Sequence, residues 1–263
     1  MHSESPPNTR DVIVSLGVTF AALILVSFGG LIALGMFYGE EIPDTVVSAT
    51  LLVLTPTTIG VCAIGFARSH SADAPGFLGA GMGRLWWLFP GVVCAGVLSE
   101  GLYVLIQQHA SDLDGGAVDQ LGEAVQQGGV AGAFILLGAL VLAPLGEELF
   151  FRGWIFRSVE QQAGSGLAIL ISALAFAGYH MDWAHTLAIL PLAIWISWLR
   201  AVTGAVGACV LAHVLNNALW VFSTRTSAEG WDFFPWLGPI SVVGLAGMLL
   251  FVQHRGRLEA KEH

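Results

Sequence analysis

Residues 12–39 carry no charged side chain, and apolar stretches of similar length recur along the chain. A helix rising 1.5 Å per residue needs roughly 20 such residues to cross a hydrocarbon core about 30 Å thick. Inside lipid every backbone N–H and C=O must find its partner within the protein, so a run of this kind folds as a helix or not at all. Eight candidate spans follow, at about 12–38, 45–67, 84–107, 128–158, 165–181, 184–200, 203–224 and 234–254. The expected fold class is therefore all-α: a polytopic membrane protein of about eight transmembrane helices around an intramembrane cavity. Residues 1–263 are read as a single integral membrane domain. Composition closes off the alternatives. Charged residues make up 11% of the chain, against about 25% in soluble domains, which excludes an ordinary soluble enzyme and a disordered chain. A net charge of −9 has the wrong sign for gripping phosphate, so no nucleic-acid partner is expected.

The first span reads as an anchor helix rather than a cleaved signal. It is long, begins at the acidic Asp11, and lacks a small-residue cleavage site after a short apolar core. Alternate connections then divide the charges. Arg10, Arg68, Arg84, Arg157, Arg200, Arg255, Arg257 and Lys261 fall on one side, while the other holds Arg225 among acidic residues such as Glu40, Asp112 and Asp232. Basic loops stay in the cytoplasm, which places both termini there; the expected location is the cytoplasmic membrane of a bacterium or archaeon. Trp86, Trp87, Trp183, Trp231 and Trp236 fall near span ends, as interfacial tryptophans do. The acidic segment at about 108–127 is read as an outside connector. Cys62, Cys94 and Cys209 stand far apart without a CxxC pairing, which fits packing residues better than a disulfide or thiolate metal site.

Ionisable groups are concentrated where a bilayer makes them expensive. The fourth span contains Glu147, Glu148 and Arg152; lipid exposure of all three would cost roughly 8–10 kcal/mol, so they must face inward with partners. Glu148 and Arg152 lie four apart in the favourable Glu-before-Arg order and read as an ion pair that supports the helix. Glu147 projects about 100° away from Glu148 into a setting of Pro144, Phe150, Phe151 and Trp154, which suits a general base working near neutral pH. Trp154 is a candidate cavity wall. The fifth span ends in Phe176-x-x-x-His180, and His213 and Asn217 form a polar stripe on the seventh. A carboxamide there can donate to a developing oxyanion, with Asn216 as the neighbouring alternative. Asp182 and His185, two and five residues after His180, could tune the site, but a surface-loop role is the favoured reading.

Glu147-Glu148-x-x-x-Arg152, Phe176-x-x-x-His180 and His213-x-x-x-Asn217, in that order on three spans, resemble the pattern of the CPBP family. That family comprises CAAX proteases and bacteriocin-processing enzymes, is also called Abi, and includes the type II CAAX prenyl endopeptidases. The resemblance covers about 128–224, the motif-bearing catalytic core; the first hundred residues carry none of it. It implies an eight-helix intramembrane endopeptidase of the glutamic type. By position, Glu147 would activate a water with help from His180, His213 and Asn217 would stabilise the tetrahedral oxyanion, and Glu148 and Arg152 would support them. No cofactor is favoured. The implied partners are the bilayer and a membrane-embedded or lipid-anchored protein or peptide substrate.

Three rival readings stand beside this one. A zinc protease would use Glu147, His180 and His213 as a His₂Glu set, although no HExxH helix pairs two ligands and Asn217 fits an oxyanion donor better. A non-catalytic scaffold or immunity protein would have no need of the whole polar set. A proton-coupled transporter would use intramembrane Glu and His residues, but no inverted repeat is visible. Counting residues from the cytoplasmic end puts the site within the bilayer, displaced towards the outer face.

Overall fold

The computed structural model describes residues 6–39, 41–81, 89–109, 126, 128–226, 239–247 and 249–250. The described residues form helices and no strand. Helices α1 (Thr9–Tyr38), α2 (Asp44–His70), the short α3 (Ala74–Leu78) and α4 (Phe89–His109) come first. Next is one continuous helical stretch, Gly129–Tyr179, built from α5 (Gly129–Leu137), a π-helical turn at Gly138–Leu142, α6 (Ala143–Glu148), a second π-helical turn at Leu149–Ile155, and α7 (Phe156–Tyr179). Helices α8 (Trp183–Thr203) and α9 (Val206–Thr226) follow, and residues 239–247 are again helical.

Five helices among the described residues are long and apolar enough to cross a membrane, and α9 contributes a shorter apolar stretch, Val206–Val221. One of the five is the whole Gly129–Tyr179 stretch, which changes direction at Gly164, where φ is 81° and ψ 168°. A side chain would strain that conformation; glycine accepts it. The break separates the expected fourth and fifth spans. The eighth candidate, 234–254, the connector at about 108–127, and Trp86, Trp87, Trp231 and Trp236 lie partly or wholly outside the described residues.

Local sequence explains the ends. Asn8 caps α1 by accepting from the N–H groups of Arg10 and Asp11, while the Asp11 carboxylate accepts from the Asn8 N–H at 2.8 Å. That reciprocal box accounts for an acidic residue at the head of an apolar span. Asp182 caps α8 in the same manner, accepting from the His185 N–H at 2.9 Å. Gly204, in the left-handed conformation, closes α8.

Two apolar clusters fix the bundle. One joins α1, α2, α3, the second π turn and α7 through Ile59, Leu78, Phe150, Phe151, Trp154 and Phe156. The other joins α4, α8 and α9 through Val92, Trp195, Ile196, Leu199 and Cys209. Glycines set the approach of α2 to α6: the carbonyl of Pro56 stands where a Cβ on Gly146 would be, and a Cβ on Gly60 would lie 3.2 Å from the Gly146 Cα. Small residues allow such close backbone contact in membrane bundles. The residue after Gly146 is Glu147.

Candidate functional site

The π turns govern which backbone groups are left over. In the first turn the N–H of Ala143 donates to the carbonyl of Gly138, five residues back. The next donor in that register would belong to Pro144, which has none. The carbonyl of Ala139 is thereby freed, and Asn217 fills the gap: its Nδ2 donates to that oxygen at 2.8 Å. At the second turn the Phe151 carbonyl accepts from the Phe156 N–H and also from Ser172 Oγ at 2.9 Å, and Arg200 Nε donates to the Arg152 carbonyl at 3.1 Å. Side chains from α7, α8 and α9 are thus drawn onto the helix that bears the glutamates, as irregular backbone within a membrane requires.

At the centre is a chain of charged and polar groups. Arg152 Nη1 donates to Glu148 Oε1 at 2.9 Å, with both side chains 0% exposed. The same Oε1 lies 2.9 Å from His213 Nδ1. Arg152 is held further by its Nε donating to Ser197 Oγ at 3.3 Å, its Nη2 donating to the Ala193 carbonyl at 3.1 Å, and the face of Phe176 at 4.4 Å. A carboxylate against Nδ1 fixes that nitrogen as the N–H donor and turns Nε2 the other way. His213 Nε2 faces Glu147, 3.9 Å from its Oε2. Glu147 and His213 are both buried. Consecutive glutamates therefore address the two nitrogens of one imidazole.

His180 ends α7 and is partly buried. Its Nδ1 lies 3.0 Å from the Phe176 carbonyl, which makes Nδ1 the donor and leaves Nε2 as the acceptor in the neutral ring. Phe176 stands edge-to-face with both histidines, at 5.1 Å from His180 and 5.6 Å from His213. The phenyl ring thus touches both histidines, and among the described residues no hydrogen bond or ion pair joins His180 directly to Glu147. Asn216 donates to Asn217 Oδ1 at 3.3 Å and has its own Oδ1 against Gly96 of α4. Asn217 retains a second amide hydrogen beyond the one given to Ala139.

Among the described residues no three His, Cys, Asp or Glu side chains converge as ligands of one ion.

Three placements differ from the reading of the sequence. His185, taken for a loop residue, sits in the first turn of α8 with its ring 4.6 Å from that of His180. Trp154, proposed as a cavity wall, turns away from the glutamates: it is fully buried against Phe66, His70 and Phe77, and its Nε1 donates to Ser15 Oγ at 2.8 Å. Arg200, counted as a loop charge, is buried, with its guanidinium over Phe156. Only the i, i+5 spacing of His180 and His185 was visible in the sequence; the other two depend on how helices cross.

Fold and site together define a polytopic all-α membrane protein with a buried Arg–Glu–His chain shared between spans. Residues 129–219, about a third of the chain, match the family described as Type II CAAX prenyl endopeptidase Rce1-like, so this segment resembles the CAAX-protease-like membrane proteins. The matched residues include all three motifs. No curated protein and no solved structure matches the chain.

Proposed function

We propose that the protein is an intramembrane endopeptidase that hydrolyses a peptide bond of a membrane-anchored precursor with water activated by Glu147. The observation that carries the proposal is the orientation of His213: Glu148 holds its Nδ1, so Nε2 faces the second glutamate across 3.9 Å. That separation is too long for a direct hydrogen bond and suits two groups that share a water. Glu147 takes a proton from the water as its oxygen attacks the substrate carbonyl. The free amide hydrogen of Asn217 and the Nε2–H of a protonated His213, whose charge Glu148 balances, receive the negative charge that develops on the carbonyl oxygen. Collapse of the tetrahedral intermediate breaks the C–N bond, and the Glu147 proton passes to the leaving amine. His180, with Nε2 as acceptor, helps to orient the water. No metal enters this sequence.

The charge asymmetry of the connections supports cytoplasmic termini. In that orientation His180 and the start of α8 lie towards the outer leaflet, where the anchored tail of an exported protein would present its scissile bond.

The test is to compare membranes of cells carrying the wild-type chain with those carrying Glu147→Gln. Anchored precursors that accumulate uncut in the variant are then offered to the purified proteins. Cleavage by the wild type and a loss of about 10³-fold in the variant is the expected result. Equal cleavage by a well-folded Glu147→Gln protein would overturn the role of Glu147. Full biological function of that variant with no precursor accumulating would instead favour a non-catalytic scaffold.

A further inference from the structure

A further carboxylate lies in the membrane-spanning region outside the motifs. Glu100, partly buried on α4, lines a recess with Ser99 and Tyr103 of the same helix, His185, Ala188 and Ile189 of α8, and Trp220 of α9. A carboxylate at this depth costs about 2.5–3.5 kcal/mol on insertion scales, and nothing in the Arg152–Glu148–His213 chain uses it. A second observation points to the same place. Ser99 is 4% exposed, and among the described residues its hydroxyl has no hydrogen-bond partner. Buried hydroxyls in native proteins are nearly always satisfied, so an unsatisfied one lining a recess marks a position for a ligand group.

The position of the recess relates it to the chemistry. Along α9, Trp220 follows Asn217 by about 4.5 Å of helix rise. Along α4, Ser99 and Glu100 follow Gly96, which Asn216 touches. His185 brings the recess against His180, ring to ring at 4.6 Å. An extended peptide advances about 3.3 Å per residue, so a substrate carbonyl held at Asn217 places a side chain one or two residues away at the recess. The lining has one carboxylate, the hydroxyls of Ser99 and Tyr103, the imidazole of His185 and the aromatic rings of Tyr103 and Trp220, a set that favours a cation over an anion or a plain hydrocarbon. The cavity volume, about 30 Å³ and open on one side, admits the tip of a single side chain rather than a larger ligand.

We infer that the recess bounded by Glu100, Ser99, His185 and Trp220 is a substrate subsite that binds a cationic side chain, lysine or arginine, one or two residues from the scissile bond. The inference rests on the peptidase reading and gives it a substrate class: an anchored segment carrying a basic residue beside the cut.

The test uses the full-length protein in nanodiscs and a panel of membrane-anchored peptides that differ only in having lysine or norleucine at successive positions. Two quantities are read: the lysine-to-norleucine ratio of kcat/KM for the wild type, and the ratio of Kd for the Glu147→Gln protein, which reports binding without cleavage. A preference for lysine of about tenfold at one position is expected, as for a hydrogen bond to a charged group. Glu100→Gln brings the ratio to about one, Glu100→Asp restores part of it, and Glu100→Lys shifts preference towards a glutamate peptide. Cleavage of the panel with no lysine preference overturns the subsite and leaves the peptidase intact. Lysine-dependent binding that Glu100→Gln abolishes, without cleavage of any peptide, upholds the cation site and overturns the peptidase. A preference unchanged by all three Glu100 substitutions overturns the assignment to this recess.

Discussion

Replacing Glu148 by glutamine keeps the shape of the side chain and removes its charge, which isolates the electrostatic part of the buried chain. Glu148 and Arg152 have no exposed side-chain surface and meet at 2.9 Å. Removing one partner of such a pair strands the other in a low-dielectric interior, at a cost of about 3–5 kcal/mol. Arg152 keeps Ser197, the Ala193 carbonyl and the face of Phe176, so the lower end applies, about 3 kcal/mol. Arg152→Met leaves Glu148 with His213 alone and should cost about as much. The double variant restores neutrality. Its loss should fall short of the sum of the singles by about 2 kcal/mol or more, because the two residues form one interaction. Reversible unfolding in mixed micelles, or steric trapping in bicelles, measures all four corners of the cycle. Single losses below about 1 kcal/mol that simply add would refute a buried, mutually dependent pair. Cleavage supplies a second readout. In Glu148→Gln the new amide oxygen can still accept from His213 Nδ1 but cannot stabilise a positive imidazole, so activity should drop even at temperatures where the variant is folded.

Gly146→Ala drives a methyl group into the Pro56 carbonyl and should destabilise the protein by about 1–3 kcal/mol; wild-type stability would show that α2 and α6 are not in backbone contact. Trp154→Phe removes the hydrogen bond to Ser15 and should cost about 1 kcal/mol while leaving the kinetics of cleavage unaltered, since Trp154 faces away from Glu147. Chelator treatment of the purified protein should leave cleavage intact; activity lost on chelation and regained with zinc would overturn the metal-free mechanism. Asn217→Leu uncaps the Ala139 carbonyl and removes an oxyanion donor together, so both the melting temperature and kcat should fall; a change in kcat alone would mean that the carbonyl finds another donor.

What the sequence revealed, it revealed through the bilayer. Lipid offers no hydrogen bonds, so spans announce themselves by length and apolarity, and three ionisable groups in one span advertise a buried polar cluster. The i, i+4 spacing made the Glu148–Arg152 partnership legible because that relation is local to one helix. His213 joining the pair through Glu148 was not legible, since the contact spans 65 residues. Nor was the close crossing at Gly146, which depends on the glycines of two helices meeting. The π turns escaped because a hydrophobic pattern read at 3.6 residues per turn cannot register one extra residue in a single turn.

That extra residue links the fold to the site. A regular α-helix from Gly129 to Ile155 would consume its own carbonyls, apart from the one opposite Pro144. The first π turn and the proline release the Ala139 oxygen that Asn217 binds, and the second turn presents carbonyls that accept from Ser172 and Arg200. Those three side chains come from three different helices, so the irregularity of one helix ties α7, α8 and α9 to it. His213 rides on the same helix as Asn217, one turn earlier. Capping Ala139 therefore fixes the rotation of α9 and, with it, the imidazole between Glu147 and Glu148. The local backbone irregularity that membranes permit only inside protein is thus what sets the distance between the two groups proposed to share a water.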